Sequence, residues 1–253
     1  MGPGTIIQMG YREFVARRAA LMPSLLLVIA VTVVEGLLFD FMEYNATVAP
    51  TILLLILSLQ IYRRILGQDV KGAPYFPYFG NWLVIVAVCV MLAIPLLLAP
   101  TLIAIGAFRV SLDAGIISIL IMAILMIPLV VLYVYLFTRL YYCLPGVAVR
   151  RKPYGFLEGW RDSAGIAIPL VLSFIILALA FLVISFVSGA ILGLVVGAIM
   201  IAAGPAGYVL FLVLNNLLAG VLFGLSSIFM IVLQGTVYRE HTYRVNSDAV
   251  EVF

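Results

Sequence analysis

The residues of this chain with the means to do chemistry are the few polar side chains set inside long apolar runs. Glu35 comes first: with Ser24, Val28 and Thr32 it recurs at spacings of four, four and three, which places all four on one face of a helix. A carboxylate at membrane depth is costly, so such a face reads as a protonatable group or cation ligand in a cavity, assisted by Asp40 and Glu43. The competing reading is a carboxylate near the end of its helix that reaches outer water, because Asp40 and Glu43 mark an interface close by. A second polar group is Asn216, which repeats with Gly220, Gly224 and Ser227 at spacings of four, four and three and is flanked by Asn215 and Ser226. A small-polar stripe lets another helix approach closely and satisfies the amide across the contact; it can also line a solute path. Gly189, Gly193 and Gly197 form a second stripe in GAILGLVVG, expected to pack against the Gly220 and Gly224 face.

Enzymatic templates find no support. His241 is the single histidine and stands beside Glu240 in a charged C-terminal segment, without the His or Cys cluster that a zinc site or a catalytic triad requires. No serine lies in GxSxG, and no glycine-rich loop carries the lysine that cradles a phosphate. Cys89 and Cys143 sit in apolar helical context and read as packing residues. The expectation is a chain with no catalytic residue, no metal and no cofactor. Asn45-Ala46-Thr47 is a glycosylation sequon on the predicted outer face.

The elements that position these residues are membrane helices. Of the residues, 66% are hydrophobic and 10% charged, against about 25% charged in soluble domains. The expected fold is therefore all-α, a polytopic transmembrane bundle forming a single domain over 1–253. Six spans are expected: Ala19 to Met42, Val48 to Ile65, Trp82 to Phe108, Leu112 to Tyr142, Ile166 to Val187 and Tyr208 to Val237. The first run is too long for a signal-peptide core and MGPGTI lacks the Ser or Thr of a myristoylation signal, so the chain is expected to be uncleaved and unlipidated.

Basic residues give the orientation. Arg12, Arg17 and Arg18 precede the first span, Arg63, Arg64 and Lys71 follow the second, Arg139, Arg150, Arg151, Lys152 and Arg161 lie between the fourth and fifth, and Arg239 and Arg244 follow the sixth. With six spans and both termini in the cytoplasm, only Arg109 falls outside. The formal charge of +3 thus belongs to cytoplasmic loops, and no nucleic-acid partner is implied. Ile166 to Gln234 is uncharged and long enough for three spans. A seventh span would carry Arg239 and Arg244 outside, so Ser188 to Gly207 is expected to lie at the outer interface or to re-enter the bundle.

Short stretches rich in aromatics and charge lead into the odd-numbered spans: YREFVARRAALMP from Tyr11, PYFPYFGNWLVI from Pro74 and PYGFLEGWRDSAGI from Pro153. The even spans end in IYRR, TRLYY and VYRE. These strings suggest a threefold repeat of interfacial helix plus hairpin over about 11–65, 74–144 and 153–240; the alternative is that Tyr, Trp and Arg simply gather at interfaces. On either reading Trp82, Trp160 and Arg161 are interfacial.

The string LPGVAVRRKPYGFLEGWRDSAGI, with Glu158, Trp160, Arg161 and Ser163 as its core, resembles uncharacterised bacterial six-helix inner-membrane proteins related to the membrane domain of glycerophosphoryl diester phosphodiesterases. The terminal VLQGTVYREHT is similar to the end of their last helix. The resemblance implies a six-helix inner-membrane domain without the soluble phosphodiesterase, and carries over no catalytic residue. Function is expected to be that of a non-enzymatic scaffold or accessory protein that binds a membrane-protein partner, a second copy or lipid; the alternative is a small-solute or lipid transporter or channel.

Overall fold

In the computed structural model, residues 1–42, 48–68, 74–110, 112–149 and 156–243 are described. Glu43, the Asn45 sequon, Lys71, Arg150, Arg151, Lys152, Pro153 and Arg244 lie outside them. Nine α-helices occur among the described residues: α1 (Pro3–Ala16), α2 (Arg18–Met42), α3 (Val48–Ile65), α4 (Tyr75–Val110), α5 (Leu112–Tyr141), α6 (Cys143–Val149), α7 (Phe156–Asp162), α8 (Ala167–Ala203) and α9 (Pro205–Tyr238), the last running into a π-helical turn, Arg239–Tyr243. The fold is all-α and polytopic. Among the described residues, five stretches can cross a membrane by length and composition, four along α2, α4, α8 and α9 and one from Pro128 of α5 to Val149 of α6. α3, the remaining expected span, has 18 residues and ends on Arg63 and Arg64.

Two compact units divide the chain. One combines Met1–Tyr75 with Leu172–Phe253, the other is Phe76–Val171. The core of the first is built where α2, α3 and α9 meet, from Leu21, Leu25 and Val28 of α2, Leu57, Ile61 and Ile65 of α3, and Ile228 and Val232 of α9. Apolar burial does not drive association of helices in lipid, so close fit matters more. Gly235 provides it between α3 and α9: a Cβ there would stand 3.0 Å from Tyr62 and 3.1 Å from Ile65. Beside it the buried Tyr62 hydroxyl donates to Gln234 Oε1 at 2.7 Å, satisfying both polar groups.

The segment Ser188 to Gly207 departs from expectation. It is no interfacial or re-entrant piece: α8 continues unbroken to Ala203, and α9 begins at Pro205. At 1.5 Å per residue α8 is about 55 Å long, well beyond a hydrocarbon core of roughly 30 Å. Nothing within the run interrupts a helix, because its glycines are tolerated in membrane helices. The break is Gly204-Pro205. Gly204 has φ +56°, open to glycine without a Cβ penalty, and Pro205 opens the next helix, where its missing N–H costs nothing.

α1 and α7 are separate short helices ahead of α2 and α8, whereas the string from Pro74 runs directly into α4 as one helix from Tyr75. Of the two boundaries between the compact units, that between Tyr75 and Phe76 falls at the start of the second expected repeat and that between Val171 and Leu172 within the third.

Candidate functional site

Three groups of side chains define what the molecule offers. The first is the face of α9 that meets α2. A Cβ on Gly220 would lie 2.8 Å from Val33 and 3.2 Å from the Ile29 carbonyl, and one on Gly224 would lie 3.1 Å from Ile29 and 3.2 Å from Leu25. A methyl group on Gly36 would collide with the Asn216 side-chain oxygen. Asn216 then donates through Nδ2 to Asp40 Oδ2 at 2.6 Å and to the Leu212 carbonyl at 2.9 Å. The predicted stripe is thus a packing face whose amide has found a partner, and Ser227 beyond it is half-buried. Glu35 and Thr32 lie on α2 near this contact, each with a buried oxygen that has no hydrogen bond among the described residues.

Asn215 does not join that group. It turns toward α8, whereas Asn216 faces α2, so the two neighbouring amides serve different faces of α9. Asn215 lines the second feature, a groove of about 380 Å³ between α8 and α9. Its polar or small lining comes from Ser185 and Gly189 of α8 and Asn215, Ala219 and Ser226 of α9, with Phe181 and Phe223 among the apolar residues. A Cβ at Gly189, Gly193 or Gly197 would meet nothing within 4 Å. The expected pairing of these glycines with Gly220 and Gly224 is therefore corrected: α2 already fills that face, and the α8 stripe is left open.

The third feature belongs to the other unit, at the α5, α6 and α7 junction. Arg139 donates from Nε to Ser163 Oγ at 3.1 Å, from Nη1 to the Tyr135 hydroxyl at 3.1 Å, and from Nη2 to the Trp160 carbonyl. Its guanidinium lies 3.9 Å from the Trp160 ring centre, a cation–π stack, while Tyr135 meets the same indole edge-on at 6.5 Å. Ser163 Oγ donates in turn to the Trp160 carbonyl at 2.9 Å. Gly159 permits this docking, since a Cβ there would collide with Cys143. Sequence reasoning singled out Trp160 and Ser163 but counted Arg139 only as a loop charge; its i, i+4 spacing from Tyr135 was the available signal. Arg161 is exposed. Trp82 is anchored within the same unit, donating from Nε1 to the Tyr141 hydroxyl at 3.1 Å and stacking on Phe79.

Among the described residues no three His, Cys, Asp or Glu side chains gather as a metal site. No family model, curated protein or solved structure matches the chain.

Proposed function

We propose that this protein is a non-enzymatic membrane scaffold or accessory protein, and that the groove between α8 and α9 receives a transmembrane helix of a partner protein or of a second copy. The observation that carries this reading is the open α8 stripe. Small residues in membrane helices mark places where backbones approach, and Gly220, Gly224 and Gly36 are all used in this way inside the chain. Gly189, Gly193 and Gly197 have the same spacing, and a Cβ on each would meet nothing within 4 Å among the described residues. Ser185, Asn215 and Ser226 add side chains able to bond across a helix contact, a poor choice for a surface meant to meet only acyl chains. The inner-membrane setting, with both termini cytoplasmic and six spans, is part of the same proposal, as is kinship with the six-helix membrane domains that the Glu158–Ser163 string resembles.

A photo-crosslinker at Ser185 in native membranes should trap a protein adduct of defined mass. Gly193→Leu should abolish that adduct and leave thermal stability in detergent unchanged, because none of the described residues occupies the space. Gly220→Leu, by contrast, should destabilise the fold by about 1–3 kcal/mol through over-packing against α2. Adducts with lipid alone would discard the partner-helix reading.

The transporter reading has one observation of its own, the unpartnered oxygens of Glu35 and Thr32. Solute-dependent protection of Glu35 from a carbodiimide would favour it over the scaffold.

A further inference from the structure

α1 has two unlike faces, and only one is used within the chain. Its inner face is fixed to α9: Ile6 and Gly10 are buried, Gly10 lies so close to Leu233 that a Cβ would collide with it, and Phe14 meets Phe229 at 5.8 Å. Charge on this side is compensated. Glu13 pairs with Arg17 and accepts two hydrogen bonds at 3.1 Å from Arg239, which also pairs with Glu240 at 3.0 Å. Arg17 donates to the Arg64 carbonyl and Arg64 to the Ala20 carbonyl, so the end of α1, the start of α2 and the end of α3 are joined at one level.

The outer face is the opposite case. Arg12 on α1 and Arg18, the first residue of α2, are exposed and have no acidic partner or hydrogen bond among the described residues. At the end of α3 the exposed Arg64 bonds a neutral carbonyl and has no acidic partner among the described residues. Tyr11 is 61% exposed and stands beside Arg12, with Val15 one turn on and also exposed. Aromatic and basic side chains interleaved at the mouth of a transmembrane helix suit the headgroup layer, the ring entering its apolar edge and the guanidinium reaching a phosphate. Arginine binds phosphate with paired donors, so unopposed charge here favours anionic over zwitterionic lipid.

We propose that the outer face of α1 and the start of α2 form a binding surface for anionic phospholipid headgroups, held by Arg12 and Arg18 with Tyr11 as the interfacial anchor. The rigid attachment of the inner face presents these side chains to the bilayer at a fixed depth. This inference concerns a surface separate from the α8 and α9 groove and stands without the partner-helix reading.

The test replaces Tyr11 by benzoylphenylalanine in the full chain, reconstituted in nanodiscs with equal amounts of phosphatidylglycerol and phosphatidylcholine. Mass spectrometry of the irradiated protein should show adducts dominated by phosphatidylglycerol. The preference should fall about fivefold for each arginine removed in R12Q and R18Q at low salt, and should weaken in 1 M salt. R161Q, an exposed arginine on α7, should leave it unchanged. Equal adducts of the two lipids, an unaltered preference in the R12Q/R18Q double variant, or an equal loss in R161Q would each overturn the proposal, and an absence of lipid adducts would place α1 outside the headgroup layer.

Discussion

At the scale of the residue, Glu13 shows how charge is kept near a membrane. Its burial alone would raise the carboxyl, but hydrogen bonds and charge from Arg239 and Arg17 outweigh that, and it lies below its ordinary value of 4.5. A depressed carboxylate contributes stability that is fully present above the unfolded value and is lost as pH falls through the folded one. Thermal melts in detergent should therefore show the wild type above Glu13→Gln at pH 7, with the difference shrinking progressively below pH 4.5. A constant difference across that range would mean that the Arg239 pairing is not formed. Arg239 is separated from Glu13 by 226 positions, so no local spacing announced the pair; the i, i+4 partner Arg17 was the only part readable in the chain.

At the scale of the element, helices were legible wherever apolar runs were bounded by charge or proline. α2, α3, α5 and α9 begin and end close to the expected spans because Arg18, Arg64, Arg139 and Arg239 stand at their ends. The face of α9 around Gly220 was equally readable, since a period of four among small residues has few uses besides contact. What could not be read was which helix it would meet. GxxxG carries no partner identity, and α2 supplied the complement through Gly36, a residue without a stripe of its own. Charge is silent within α8, and there the boundary depended on the dipeptide Gly204-Pro205, a backbone signal obscured by the uniform hydropathy around it. The short α7 tests the same logic of close approach. Gly159→Ala places a methyl group against Cys143 and should push α7 off α6, breaking the Arg139 stack on Trp160. With Trp82→Phe leaving one reporter, iodide should quench Trp160 more strongly in this variant than in its parent. Unchanged quenching would show that α7 is held independently of Gly159.

At the scale of the whole molecule, the distribution of arginine and the ends of the helices agree in the unit that contains α1, α2, α3 and α9. Arg17 reaches the Arg64 carbonyl, Arg64 the Ala20 carbonyl and Arg239 the Ile65 carbonyl, so the start of α2 and the ends of α3 and α9 share one level. Ser173 of α8 donates to the Pro3 carbonyl at 3.2 Å and ties α8 to the start of α1. From there α8 and α9 run out and back through Gly204, which stands about 55 Å along α8 from its first residue, farther than the hydrocarbon is thick. The orientation proposed above puts the arginine-rich end in the cytoplasm, as the positive-inside rule would have it, and the Gly204 turn on the opposite face. Single cysteines decide the point in a background with Cys89 and Cys143 replaced by alanine. Gln8→Cys on the exposed side of α1 should resist an impermeant maleimide added to intact cells and react once the membrane is permeabilised, whereas Ala206→Cys beside the turn should react at once. Labelling of both from outside would mean that α8 and α9 do not cross as a hairpin, and the reverse pattern would invert the orientation.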